Sequence, residues 1–90
     1  MPKKPVPLAA GLVVPGLVEL AGYSVAETTK TTDAQVTFRD GSATGTILEI
    51  VTLNPNESRS ESWEDGVLAE NGIFVEITGT VTGSVRLGGS

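Results

Sequence analysis

The stretch Gly72-Ile73-Phe74-Val75-Glu76-Ile77-Thr78-Gly79-Thr80-Val81-Thr82-Gly83-Ser84-Val85-Arg86-Leu87 holds two runs with a period of two. Ile73, Val75 and Ile77 alternate with Phe74, Glu76 and Thr78. Val81, Gly83, Val85 and Leu87 alternate with Thr82, Ser84 and Arg86. Successive side chains of a strand point to opposite faces of its sheet, so this alternation predicts two half-buried β-strands joined by a hairpin-sized turn.

The same grammar extends toward the N-terminus. A strand is predicted from about Leu17 to Thr28, with Gly22 as a bulge where the inward parity switches: Val18 and Leu20 share a face before it, Tyr23 and Val25 after it. A polar turn spans Lys30 to Asp33. Val36 and Phe38 then share a face against Gln35, Thr37 and Arg39, and Asp40-Gly41-Ser42 ends that strand with turn chemistry. Ile47 to Leu53 is apolar on both faces, which predicts a central strand closed by Asn54-Pro55-Asn56. In Ser58 to Trp63, serines line one face and Arg59, Glu61 and Trp63 the other, which predicts an edge strand. A loop is expected from Asp65 to Gly72.

Six or seven short strands in residues 17–87 imply an all-β fold, an antiparallel sandwich or a small barrel, and the expectation is a small antiparallel β-sandwich of immunoglobulin-like or jelly-roll-like form. Expected core positions are Val25, Val36, Phe38, Leu48, Ile50, Val75, Ile77, Val85 and Leu87. Residues 1–16 carry Pro2, Pro5, Pro7 and Pro15, which forbid a regular helix and favour an extended N-terminal arm. Leu12, Val13 and Val14 need burial, either against the chain's own sandwich or on a neighbouring subunit. Gly88-Gly89-Ser90 is expected to be a flexible tail.

Charge and composition narrow the chemistry. Six basic and eleven acidic residues give a net charge of −5, which repels a phosphate backbone and argues against nucleic acid as a partner. There is no Cys and no His, so disulfides, thiolate chemistry and imidazole catalysis are excluded. The basic and apolar start resembles a signal peptide only faintly, because its prolines interrupt a short apolar run. No segment approaches the roughly 20 apolar residues of a transmembrane helix.

The remaining candidates are weak as chemistry. Glu61, Glu64 and Asp65 cluster in sequence, but a glycosidase needs two carboxylates facing each other across a cleft, and a solvated acidic edge explains them. Asp40, Asp65 and Glu70 lack the ligand spacing of a calcium loop. No catalytic residue, cofactor or metal site is therefore assigned, and the chain is read as not an enzyme. Glu27, in the inward parity of Tyr23 and Val25, needs a partner, for which Arg39 is the candidate. Trp63, the one tryptophan, either closes the end of the core or anchors a protein interface.

Several stretches resemble small β-sandwich structural proteins of tailed bacteriophages, among them capsid decoration, or cement, proteins. They are Gly22-Tyr23-Ser24-Val25-Ala26-Glu27-Thr28-Thr29, Val36-Thr37-Phe38-Arg39-Asp40-Gly41, Leu53-Asn54-Pro55-Asn56-Glu57-Ser58, Gly72-Ile73-Phe74-Val75-Glu76 and Thr80-Val81-Thr82-Gly83-Ser84-Val85. At Thr82 the chain departs from a pattern that often has an acid. The resemblance covers residues 17–87. It implies a protein made in the host cytoplasm that joins the virion, binds the major capsid protein at the capsid surface and stabilises the shell. It also implies a homo-oligomer there, a trimer before other symmetries. Leu12, Val13, Val14, Arg59, Glu61 and Trp63 are the residues expected to carry such contacts. The alternative is a carbohydrate- or receptor-binding module of a tail fibre or bacterial surface protein, against which the aromatic content of 4% weighs.

Overall fold

Alternating β-branched residues with turns every few positions can bury their apolar faces by stacking one sheet on another. In a computed structural model, which describes residues 4–87, that is how the chain folds. Eight strands follow in order: β1 (Lys4–Pro7), β2 (Gly11–Pro15), β3 (Val18–Glu27), β4 (Ala34–Asp40), β5 (Ile47–Leu53), β6 (Ser58–Ala69), β7 (Gly72–Thr78) and β8 (Val81–Leu87). There is no helix among the described residues. The expected tail, residues 88–90, lies outside them.

The strands form two antiparallel sheets, ordered β1-β8-β3-β6 and β2-β7-β4-β5. Strand partners follow a simple rule: β1 with β8, β2 with β7, β3 with β6 and β4 with β5. This is one long hairpin rolled up so that β3 also meets β8 and β4 also meets β7. The rolled hairpin defines a jelly roll, a double sheet built of two Greek keys. The extended N-terminal segment supplies a margin strand to each sheet of its own chain. Val6, Leu8, Val13 and Val14 pack against the core from there.

The core lies between the sheets: Leu20, Tyr23, Val25, Val36, Phe38, Val51, Leu53, Ile73, Val75 and Val85 are all buried. The parity switch at Gly22 is present, for the register of β3 with both neighbours shifts between Leu20 and Gly22. Gly22 is required there by close approach, since a Cβ on it would run into the Glu61 carbonyl oxygen.

Four expectations are corrected. β5 is a margin strand, not a central one: Val51 and Leu53 point inward and are fully buried, whereas Ile50 is 46% exposed. A run that is apolar on both faces does not reveal whether a second neighbour covers its outer side. Leu48, Ile77 and Leu87 are only partly buried. Next, β6 does not stop at Trp63 but continues to Ala69, because the second half of the strand pairs with Val18 to Leu20 beyond the bulge. Finally, Glu27 and Arg39 do not pair. Arg39 lies on the outer face of the second sheet and bonds Glu76, while Glu27 belongs to the first sheet, roughly 10 Å away through the sandwich.

Candidate interaction surfaces

Two of the carboxylates that sequence singled out, Glu27 and Asp40, are engaged in holding turns. Glu27, 2% exposed at the end of β3, accepts main-chain N–H groups from Thr29 at 2.9 Å, Lys30 at 2.8 Å and Asn56 at 2.9 Å, and the Thr29 hydroxyl as well. The Asn56 amide foremost, then the Thr29 hydroxyl, holds its carboxyl at about 2. At the opposite end of the sandwich, Asp40 accepts the N–H groups of Asn71 at 2.8 Å and Glu70 at 3.3 Å. Asp40 is thus committed to tying β4 to the turn between β6 and β7. Of the three clustered acids, Glu61 is exposed on β6, and the side chains of Glu64 and Asp65 lie outside the described residues.

The outer faces of the two sheets differ. On the first, Gly22, Ser24 and Ala26 of β3 stand opposite Ser62, Ser60 and Ser58 of β6 and opposite Arg86, Ser84 and Thr82 of β8. The surface is small-grained and polar, with a shallow depression lined by Ser24, Ser58, Arg59 and Ser60 at its margin. On the second sheet, the register aligns Leu12, Phe74, Arg39 and Ile47 in one row across four strands. The next row holds Glu76, Thr37 and Ile50. Leu12, Ile47 and Ile50 are 49%, 45% and 46% exposed. The ion pair of Arg39 with Glu76 sits among them, and Arg39 Nη1 also donates to the Gly45 carbonyl at 3.1 Å.

The residues expected to make contacts fall in two places. Leu12, Val13 and Val14 belong to β2, where the ladder bulges between Leu12 and Val14; Leu12 faces outward and the two valines are half-buried. Arg59, Glu61 and Trp63 lie on β6, at the other lateral margin of the sandwich. Trp63 is half-buried and meets Tyr23 edge-on, with ring centroids 5.8 Å apart, so it closes the core at that margin. Burial first, and then the Glu49 and Glu61 carboxylates, raise the Tyr23 phenol above its usual 10. Arg59 bonds Glu57 at 3.1 Å. Ile47, Ile50 and Phe74 were not among the expected contact residues. Their signal was the two-sided apolarity of β5 and the outward parity of Phe74 in β7.

No protein-family model, curated protein or solved structure matches this chain.

Proposed function

We propose that the chain is a virion accessory protein of a tailed bacteriophage, a capsid decoration protein that binds the major capsid protein through the outer face of its second sheet. The observation that carries this is the apolar surface of Leu12, Phe74, Ile47 and Ile50 around the pair of Arg39 and Glu76. Exposed apolar side chains gathered on one face of a small protein favour docking there, and the ion pair between them gives such a face orientation. The resemblance of residues 17–87 to phage structural proteins supplies the partner.

Four strands at about 4.8 Å and six residues at about 3.4 Å make a face of roughly 19 by 20 Å. That is about half the 800 Å² per partner of a standard interface. A single copy would therefore bind weakly, and repetition on a fixed lattice, with copies touching one another, would raise the effective affinity. Shell stabilisation would come from contacts across the joints between capsid subunits.

The test is sedimentation of the purified chain with capsids assembled from the major capsid protein encoded near its gene. Cosedimentation that Ile47→Lys with Ile50→Lys abolishes is the expected result, and an unbound wild-type chain refutes the proposal. The jelly-roll order, which lectin domains share with viral capsid domains, keeps a carbohydrate-binding module of a tail fibre as the second reading. Binding on a glycan array would favour it.

A further inference from the structure

The margins of the sandwich are unequally protected. Along one side run β1 and β2, four and five residues long. β1 contains Pro5 and Pro7, and β2 ends on Pro15 and bulges; short strands, prolines and bulges all discourage a further strand. Along the other side run β5 and β6, of seven and twelve residues, without a proline. Among the described residues, β6 pairs through one side only, with β3.

One hydrogen bond fixes which main-chain groups of β6 point away from that pairing. The Glu27 N–H donates to the Glu57 carbonyl at 2.9 Å. In an antiparallel ladder, residues that bond the neighbour alternate with residues that do not. Arg59, opposite Val25, and Glu61, opposite Tyr23, therefore turn their main-chain groups toward β3. Ser60, between them, turns its N–H and C=O outward.

A second β6 laid antiparallel and centred on Ser60 meets these groups in phase. Ser60 then pairs with Ser60 of the second copy through main-chain hydrogen bonds. Arg59 falls opposite Glu61 of the second copy, and Glu61 opposite its Arg59, in the non-hydrogen-bonded positions where cross-strand side chains are closest. Centring on Arg59 or on Glu61 instead sets like charges against each other. Charged residues on a margin ordinarily repel other strands, but the order Arg59-Ser60-Glu61 makes this margin complementary to itself. β5 has no such property, since Glu49 is its one charged residue.

We propose that β6 is a dimerisation edge and that its occupant is β6 of a second copy of this chain, related by a two-fold axis at Ser60. The two polar-faced sheets join into one of eight strands, β1-β8-β3-β6 followed by β6-β3-β8-β1. Such an isologous contact closes at two subunits, so it replaces the trimer expected from the resemblance. It does not depend on the virion role, and it leaves the apolar outer face of the second sheet free.

Sedimentation equilibrium of the intact chain over a dilution series tests this. The expected mass at high concentration is twice that of the chain. Glu61→Arg should weaken association by about tenfold or more, because it converts both cross-strand attractions to repulsions. Arg59→Glu with Glu61→Arg should restore it. Ser60→Pro should abolish it while leaving the monomer folded by circular dichroism, since the lost N–H is not used with β3. A chain that is monomeric throughout, a trimer, or a dimer indifferent to Glu61→Arg and Ser60→Pro overturns the proposal. So does a charge-swapped double variant that stays monomeric. Capsid binding is read by its own cosedimentation and can succeed or fail separately.

Discussion

Glu27 Oε1 accepts the main-chain N–H of Asn56 at 2.9 Å, joining the end of β3 to the turn between β5 and β6 across 29 positions of sequence. Asn56 has a φ of 62° there, a conformation that Asn tolerates better than most residues. In the same turn Glu57 accepts the Asn54 N–H at 2.7 Å. Two carboxylates thus organise one end of the jelly roll.

The stability that Glu27 confers depends on pH in a definite direction. Its folded pKa is lowered from 4.5 to about 2, so its contribution is fully present above about 4.5 and is lost as pH falls toward 2. Urea titrations should show Glu27→Gln with a lower midpoint than wild type at pH 7. The gap should shrink between pH 5 and pH 2; a gap independent of pH would contradict the role of the ionised carboxylate.

Two residues of β5 should respond very unequally to truncation. Leu53 is fully buried and Ile50 is nearly half exposed. Leu53→Ala is expected to cost about 2 to 5 kcal/mol, a large part of the roughly 5 to 13 kcal/mol available to a domain of this size. Ile50→Ala should cost less than about 1 kcal/mol. Urea unfolding of the two variants would measure both, and equal losses would mean that β5 is covered on both faces.

Removing residues 1–10 should destabilise the fold and not merely an assembly. The deletion takes away β1, its ladder with β8, and the partly buried Val6 and Leu8. A loss of about 2 kcal/mol or more, hence roughly 10 °C or more in Tm, is expected by calorimetry. An unchanged Tm would show that β1 adds nothing to the stability of its own sandwich.

Gly22→Ala should cost about 1 to 3 kcal/mol by overpacking, because the Glu61 main chain occupies the space of the new methyl group. Thermal unfolding would show it. Ala26→Gly, on the same face of β3, should cost no more than about 1 kcal/mol.

Much of the fold is decided locally, and the sequence alone determined that part. Side chains alternate along a strand whatever its neighbours, so the inward sets Val36 with Phe38 and Ile73 with Val75 were legible, as were the bulge at Gly22 and the margin position of Ser58 to Trp63. Turn chemistry fixed where β4, β5 and β6 end or begin. Tertiary structure decided what depends on which strands become neighbours. It turned Ile50 to the surface, extended β6 to Ala69, and gave Glu27 the amides of Asn56, Thr29 and Lys30 where Arg39 was expected. The row of Leu12, Phe74, Arg39 and Ile47 likewise exists only because β2, β7, β4 and β5 lie side by side. A period of two states which side chains share a face; only the pairing of distant strands states whether that face meets protein or water.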